Sequence, residues 1–445
     1  MSDIVYADQP ETILYEHPNE KSSPRNHVLL GTWLRVLERQ NNWLNVEPRP
    51  NRGDGGWVSK NEVRNDPGLK IFFVDVGQGD GAIIESAKGI IVIDGGPNSN
   101  FYRFMRHRYK PIIQEQGHVH IDAIVVSHPD DDHFHGLTRL IEDDDFTFGT
   151  IYHNGIIRYS GNAGKELDLG IFRNRTISGK DVRVLTETFN SIEDAGDLVD
   201  NGHLMSRFND FWLAAWNAHV DGRLARVHRI TNRDKTLSGY SGTQSTLRIE
   251  VLGPVPTQRS GRIEYVGFPP PENPKGQASK SHTINGHSIV LKLIYGEHSF
   301  LFSGDLNIPA EKHLLAHYGS KNPFRVNIAK ACHHGSSDFS VAFLKKVLPQ
   351  VNVFSSGEER GHDHPMPDAL GAAGHHTRGS LPLLFSTELA RTAGASRTHY
   401  GLINARSNGA VLTMAQMKER RTARTRDVWN SFTVPWKGRF HKESS

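Results

Sequence analysis

The sequence has little cysteine, almost no net charge and no long apolar run. Cys332 is the one cysteine among 445 residues, which excludes intramolecular disulfides and cysteine-rich zinc modules and favours a reducing compartment. Lys and Arg total 52 against 49 Asp and Glu, a formal net charge of +3, so charge alone does not predict nucleic-acid binding. No apolar run approaches the roughly 20 residues that cross a bilayer, and the start has no basic and apolar signal segment. These absences predict a cytoplasmic protein without a membrane partner.

Short alternating runs split by turn residues occupy residues 1–66, and this pattern is typical of a small all-β domain. The order LLGTWLRVLERQNNWLNVEP, then GGWVSKNEV, resembles the bacterial SH3-like family, with Trp43 and Trp57 at its two recurrent tryptophan positions. The resemblance implies an SH3-like barrel and a protein or peptide partner for it.

The pattern of apolar and polar residues changes at residue 69. Apolar, β-branched runs ended by Gly, Asp or Pro predict buried strands, and a helix is expected over about 101–116 between two of them. Interleaved strands and helices predict an α/β layered domain over 69–400. The more polar stretch at about 153–245 is interpreted as an insertion with a helix near 206–218, and 401–445 as a basic C-terminal extension. That extension interleaves basic and aromatic residues, as nucleic-acid binders do.

The string SHPDDDHFHG (127–136) directly follows the apolar strand IDAIVV. It offers two imidazoles and two carboxylates within six residues, from His128, Asp130, Asp132 and His133. Buried carboxylates at this density repel one another unless a cation neutralises them, and a divalent metal does so most directly. The alternative interpretation is an exposed acidic turn, which the position after a buried strand disfavours.

Three further strings end predicted strands in the same way. HSFLFSGD offers Asp305, HHGSS offers His333 and His334, and GHDHP offers His362 and His364. Each alone is typical of a surface histidine or a turn aspartate. Their recurrence at strand ends predicts a binuclear metal site, with Asp305 able to bridge two metals.

These strings, together with FVDVGQGDGAII (73–84), IVIDGG (91–96) and HSIVLKLIYGEHSFLFSGDL (287–306), resemble the metallo-β-lactamase superfamily. Within it they resemble the hydrolase domain of ComEC-type competence proteins. The resemblance implies a four-layer αββα fold for residues 69–400, preceded by the small all-β SH3-like barrel.

The resemblance also implies a role for each motif residue. His128 and Asp130 match the ligands of one metal, Asp132 and His133 match those of a second, and Asp305 matches the bridging carboxylate. The histidine of the HHG motif that matches a ligand is His334, with His333 as the alternative. His287 is a candidate for the family's middle histidine, which has no clear counterpart here. Asp94 and Asp80 match aspartates that lie near the metals.

Two divalent cations are therefore expected, manganese or zinc, with magnesium or iron as alternatives. Asp130 stands where the family usually has histidine, and a carboxylate shifts the preference towards harder ions. The expected function is a phosphodiesterase or nuclease acting on DNA. Asp132 would position the attacking water, and His364 or His362 would protonate the leaving oxygen or hold the phosphate.

Three other functions remain open. The first is a metallohydrolase of a small phosphodiester, a phosphorylcholine-like ester or a lactone. The second is a di-iron redox protein, although no flavin module is evident. The third is a non-catalytic interaction protein that uses the SH3-like domain.

Overall fold

The computed structural model describes most of the chain. The described residues are 3–49, 53–177, 179–243, 246–259, 261–274, 276–357, 363–379, 382–387, 402–418 and 428–434.

The first seven strands form one antiparallel sheet: β1 Ile4–Ala7, β2 Glu11–Tyr15, β3 Pro24–Leu29, β4 Trp33–Gln40, β5 Trp43–Arg49, β6 Gly56–Ser59 and β7 Val63–Arg64. Alternate side chains such as Leu14, Leu34 and Val46 point inward and form a small core of their own, as the period of two along a strand requires.

The strand order of this sheet is β3-β2-β6-β5-β4-β1-β7. No pairing joins β3 to β7 within the described residues, so the sheet is not a closed barrel. The expected SH3-like barrel is thus corrected to an open β domain. The physical reason lies at the edges, since β7 is only two residues long and β3 starts at Pro24, which has no N–H to donate.

The remaining elements follow in chain order: β8 Leu69–Phe73, β9 Gly81–Ser86, β10 Gly89–Gly95, α1 Asn100–Gln116, β11 Val119–Val125, α2 Asp131–Glu142, β12 Phe146–His153, β13 Phe172–Ile177, β14 Lys180–Leu185, α3 Ile192–Asn201, α4 Ser206–Val220, β15 Leu224–Arg229, β16 Thr236–Ser241, β17 Arg248–Gly253, β18 Thr257–Arg259, β19 Arg262–Val266, α5 Lys280–Gly286, β20 Val290–Tyr295, β21 His298–Phe302, α6 Ile308–Tyr318, β22 Ile328–Lys330, α7 Val341–Val347, β23 Val351–Phe354, α8 Pro367–His375, β24 Leu383–Ser386, β25 Ile403–Ser407, β26 Leu412–Lys418 and β27 Val428–Thr433.

Two large mixed sheets face each other. One has the order β15-β12-β11-β10-β9-β8-β25-β26-β27 and the other β16-β17-β20-β21-β22-β23-β24. Strands of both sheets contribute to one shared apolar core, for example Ile71 and Ile93 from the first and Leu293 and Phe302 from the second. The two sheets therefore form the inner layers of the domain.

Helices cover the outer face of each sheet. Phe72 and Ile83, which point away from the shared core, pack with α1, α2 and α4. On the other side, Val290 and Leu301 pack with α6 and α7. The result is a mixed α/β domain with helix–sheet–sheet–helix layers, consistent with the fold that the motifs predict.

The polar stretch 153–245 contributes to both large sheets. Strand β15 pairs in parallel with β12, and β16 pairs with β17. Helix α4, which lies where the sequence predicts a helix near 206–218, packs against α2 with Phe208 and Phe211 in contact with Phe134.

The N-terminal sheet contacts the layered domain through polar groups. Arg406 donates to the carbonyl oxygen of Leu30 at 2.8 Å, and Arg64 donates to the carbonyl oxygen of Asn408 at 3.0 Å. Within the described stretches, no helix combines the length and the apolar character needed to cross a bilayer.

Candidate metal centre

The loop between β11 and α2 carries the acidic motif to one end of the sheet. Strand β11 is buried between its parallel neighbours β10 and β12, and Asp130 lies at the N-cap of α2. Asp131 and Asp132 occupy the first turn of that helix, where the helix dipole favours negative charge. His133 follows and is fully buried.

Side chains from three strand ends meet at this point. Ligand atoms of Asp132, His133, Asp305 and His334 all lie within 4.8 Å of one another. His334 Nε2 lies 3.1 Å from Asp305 Oδ2 and 3.3 Å from Asp132 Oδ2. His133 Nε2 lies 3.3 Å from Asp305 Oδ1 and 3.9 Å from Asp132 Oδ1. The fold thus brings together residues separated by up to 202 positions in the sequence.

The other ring nitrogen of each histidine is held by a hydrogen bond. His133 Nδ1 donates to Asp94 Oδ2 at 3.0 Å, and His334 Nδ1 donates to the carbonyl oxygen of Ser355 at 3.0 Å. A bond that fixes the proton on Nδ1 leaves the lone pair on Nε2, which is the arrangement of metal-binding histidines. Both rings therefore present an unprotonated Nε2 to the cluster in their neutral form.

His128 is oriented in the same way by two hydroxyl groups. Its Nδ1 lies 3.0 Å from Ser127 Oγ and 3.3 Å from Ser288 Oγ. The Ser288 hydroxyl donates to the carbonyl oxygen of Asn285 at 2.7 Å and accepts from the N–H of Asp305 at 3.1 Å. Because the Ser288 proton is used, its oxygen accepts from His128 Nδ1–H, and Nε2 of His128 again carries the lone pair.

The donor set fits a divalent cation. Nε2 of His128, His133 and His334 and Oδ1 of Asp305 are buried and have no hydrogen-bond partner among the described residues. Ligand distances of about 2.1 Å in a tetrahedral site place the ligands about 3.4 Å apart. The separations of 3.1 to 3.9 Å between the ligand atoms of Asp132, His133, Asp305 and His334 match that spacing.

The charges of the cluster depend strongly on one another. Burial raises the pKa of Asp305, but His334 and His133 more than reverse this and hold it well below its ordinary value. For His133 and His334, burial lowers the pKa, and the carboxylates, Asp305 first, raise it well above its ordinary value. The protein without a cation therefore stabilises protonated imidazoles beside ionised carboxylates. Metal binding is expected to displace those protons.

A buried lysine lies beneath the cluster. Lys330 forms an ion pair with Asp80, and its Nζ is 3.7 Å from Asp305 Oδ1. Burial lowers the pKa of Lys330, and the two carboxylates reverse this and raise it. Asp80 in turn lies 3.2 Å from His334 Nδ1, so the lysine helps to fix the orientation of that ring indirectly.

Asp130 lies at the edge of the cluster and is engaged by an arginine. Its Oδ2 is 3.7 Å from His128 Nε2, and its Oδ1 forms an ion pair with Arg158. Burial raises the pKa of Asp130 to about 6, although Arg158 opposes this rise. Asp130 thus faces both His128 and the cation of Arg158.

The HHG motif turns sharply where it enters the site. His333 and His334 both have a left-handed backbone, with φ of 48° and 54°, and Gly335 has φ of 87°. A Cβ on Gly335 would lie 2.7 Å from atoms of Phe354 and Pro365, so this close approach requires glycine. Such conformations are costly and concentrate at functional sites.

The turn separates the two histidines of the motif. His334 is buried in the cluster, whereas the His333 side chain is 28% exposed, with Nε2 3.8 Å from Asp305 Oδ2. The His364 ring lies beside both, with centroids 6.2 Å from His334 and 5.7 Å from His333, and its Nδ1 is 3.0 Å from Gln78 Nε2. His362 lies outside the described residues.

The structure does not bring His287 to the cluster. Its Nε2 donates to the carbonyl oxygen of Val266 at 2.8 Å, and its ring packs between Tyr265 and Phe268, with centroids at 4.4 and 4.8 Å. Burial lowers the pKa of His287 to about 3, so it is a neutral core histidine. Its neighbour Ser288 points towards the site instead.

Three residues of the site were not predicted from the sequence: Lys330, Ser288 and Arg158. Lys330 could have been predicted, because a lysine inside an otherwise apolar strand needs a buried partner. Ser288 follows His287 directly, but His287 is the C-cap residue of helix α5, so no regular period indicates which of the two side chains faces the site. The pairing of Arg158 with Asp130 could not be predicted, since the two are 28 residues apart and Arg158 lies in an irregular stretch.

Comparison with known proteins agrees with this geometry. Residues 74–203 match the family model of the metallo-beta-lactamase superfamily. The competence protein ComA of Neisseria gonorrhoeae is 37% identical over 82 residues, which cover 18% of this chain. The match spans 12% of the length of that relative.

Three solved structures resemble the chain at low similarity. A long form RNase Z from yeast has a TM-score of 0.31 and 10% identity, covering 67% of this chain and 39% of its own. A variant of the CmlA beta-hydroxylase has a TM-score of 0.36 and 12% identity, covering 78% and 56%. A diphosphatase from the PhnP family has a TM-score of 0.29 and 10% identity, covering 76% and 98%. Residues 74–203 thus match the metallo-beta-lactamase superfamily, and the layered fold is consistent with that match.

Proposed function

We propose that the chain is a metal-dependent phosphodiesterase with nucleic acid, and DNA first, as its substrate. The observation that carries the proposal is the convergence of His133 and His334 on the carboxylates of Asp132 and Asp305, with the His128 ring next to His133. Among the described residues, Nε2 of each of these three rings has no hydrogen-bond partner. The superfamily to which residues 74–203 match consists mainly of hydrolases, which supports hydrolysis as the reaction.

Two cation positions are proposed. Asp132, His133, Asp305 and His334 would hold one cation, and His128 with Asp130 would hold the second, sharing Asp305. When bound, divalent cations supply Lewis-acid chemistry, in that they offset the charge of the phosphate and make water more acidic. The Arg158 guanidinium beside Asp130 adds a further positive charge on that side of the site.

We assign the remaining steps to side chains at the mouth of the site. Asp132, whose side chain is 32% exposed, is the ligand nearest to solvent and would orient the attacking water. His364 would donate a proton to the leaving oxygen, and His333 would hold a phosphate oxygen. Support for these roles comes from the position of both rings within about one side-chain length of the cluster.

The preference for DNA is based on the resemblance of the motifs to ComEC-type hydrolase domains and is supported by the 82-residue similarity to a competence protein. A small phosphodiester, a phosphorylcholine-like ester or a lactone is the competing substrate class.

A panel of substrates tests both parts. The purified protein would be assayed for bound metal by mass spectrometry, and then with linear duplex DNA, single-stranded DNA, RNA, bis(p-nitrophenyl) phosphate, p-nitrophenyl phosphorylcholine and a lactone. We expect bound divalent metal and DNA cleavage that is abolished by a chelator. Turnover of a small ester without cleavage of any nucleic acid would contradict the substrate, and absence of any hydrolysis by metal-loaded protein would contradict the reaction.

A further inference from the structure

A large cavity lies away from the metal centre, between the N-terminal sheet and helix α1. Its volume is about 500 Å³, within the range of small-molecule sites, which often lie at domain interfaces. Tyr6, Trp33 and Arg35 line it from the N-terminal sheet, and Lys70 and Arg108 line it from the layered domain.

Buried positive charge exceeds buried negative charge on the floor of this cavity. Arg108 donates to both carboxylate oxygens of Glu85, at 2.5 and 2.7 Å, and Lys70 Nζ lies 3.2 Å from the same carboxylate. Arg406 lines the cavity as well, whereas Glu115 lies at its exposed rim. Two cations thus share Glu85, and burial lowers the pKa of Lys70 to about 8 in spite of that carboxylate.

The charge of the buried groups indicates which ligand the cavity would bind. Lys70, Arg108 and Arg406 are buried cations, and Glu85 is the buried carboxylate that Lys70 and Arg108 share. Because the surplus charge is positive, the ligand should be an anion.

Aromatic rings in the cavity wall indicate that the anion also carries a planar ring. Trp33, Tyr6 and Tyr109 line the cavity, and Lys70 Nζ lies 4.9 Å from the centre of the Trp33 ring. Aromatic rings next to cations are the usual surface for a planar base attached to a phosphate.

The cavity and the metal centre lie at opposite ends of the same strands. Lys70 pairs with Glu85 across β8 and β9, whereas Phe73 pairs with Ala82 at the other end, next to Asp80. Five residues of extended chain from Asp80 to Glu85 span about 17 Å. A ligand in the cavity therefore does not touch the metal ligands.

We propose that this cavity is a second binding site, for an organic anion that carries a planar ring and has the size of a mononucleotide. The anion would pair with Lys70 and Arg108, and the ring would pack against the aromatic wall. Because both domains line the cavity, the ligand would also hold the N-terminal sheet against the layered domain.

Calorimetric titration with AMP tests the proposal, with adenosine and inorganic phosphate as partial probes. All titrations use full-length protein, and repeating them with His334→Ala separates this site from the metal centre. We expect AMP to bind both proteins with the same Kd, and each partial probe to bind at least about tenfold more weakly. A hydrogen bond to a charged group is worth about 1.5 kcal/mol or more, which is about tenfold in Kd.

Two variants localise the binding. Lys70→Met removes a charge from the floor, and Ile112→Trp fills the cavity, which Ile112 lines, without altering any charge. Both should weaken AMP binding at least about tenfold, while the exposed control Lys88→Met should not. If Lys70→Met fails to fold, Ile112→Trp still decides the question.

Any one of four results would overturn the site as proposed. These are no AMP binding at millimolar concentration, unchanged affinity in Ile112→Trp, loss of binding in His334→Ala, and binding of phosphate as tight as that of AMP.

Discussion

Asp94→Asn tests the metal centre without removing a ligand. Asp94 Oδ1 accepts from the backbone N–H of Ser127 at 2.7 Å, and Oδ2 accepts from His133 Nδ1 at 3.0 Å. In the variant, the amide oxygen keeps the bond to Ser127, so the NH₂ group faces His133. That ring must then accept at Nδ1 and carry its proton on Nε2, which removes the lone pair that points at the cluster.

The expected loss follows from this one bond. A hydrogen bond to a charged group contributes about 1.5–3 kcal/mol, and removal of such partners of metal ligands costs about 10–100-fold in metal affinity. We expect the Kd of the metal-stripped protein for zinc and for manganese to rise by about that factor. The fold should be retained, because Asp94 has a φ of 56° and asparagine tolerates this left-handed backbone.

Calorimetry measures the affinity, and nitrogen NMR of the imidazole rings reports which nitrogen carries the proton. The matched control is Asp122→Asn on the neighbouring strand β11, where Asp122 Oδ2 accepts from the N–H of Ile90 at 2.8 Å and lies away from the cluster. Asp122→Asn should bind metal as the parent does. Affinity within threefold of the parent in Asp94→Asn, with the His133 tautomer changed, would refute the assignment of His133 as a ligand.

The remaining predictions concern activity, metal choice and pH. Asp132→Ala should lose at least about 100-fold in phosphodiester hydrolysis, while its neighbour Asp131→Ala, which removes a surface pair with Arg207, should keep near-parental rates. Manganese should support faster hydrolysis than zinc in the stripped and reloaded protein, and Asp130→His should shift the optimum towards zinc, because carboxylates suit harder ions. Faster hydrolysis by the parent protein with zinc than with manganese would contradict the predicted preference for harder ions. Burial raises the pKa of Glu311 from 4.5 to about 8, so its contribution to stability is complete below pH 4.5 and is lost as the pH rises through 8. Urea unfolding should show the stability of the parent relative to Glu311→Gln falling by about 3 kcal/mol between pH 4.5 and 7, and a pH-independent difference would place the carboxyl in water.

Much of the layered fold could be predicted from local patterns. Apolar β-branched or aromatic runs mark strands such as β9 and β21 because most of their side chains are buried, which leaves little room for alternation with polar residues. Helices α1 and α4 lie where the sequence predicts them. Closure of the N-terminal sheet could not be predicted, since it depends on whether β3 reaches β7, and alternation along a strand carries no information about distant edges.

The motifs in the sequence determined which strand ends carry the chemistry, since each motif follows an apolar run. These strands belong to two sheets, with β11 in one and the parallel pair β21 and β22 in the other. The motifs also identified Asp132, His133, Asp305 and His334 as candidates that the structure brings together. Only the tertiary structure decided which side chain of each adjacent pair faces the site. The left-handed turn at His333 and His334 buries the second ring and exposes the first. Where the chain leaves helix α5, His287 turns into the core and Ser288 faces His128. The salt bridge from Arg158 to Asp130 and the charged cavity beside Lys70 were likewise decided by tertiary packing, because they join segments whose meeting depends on how whole layers pack and on nothing in the local sequence.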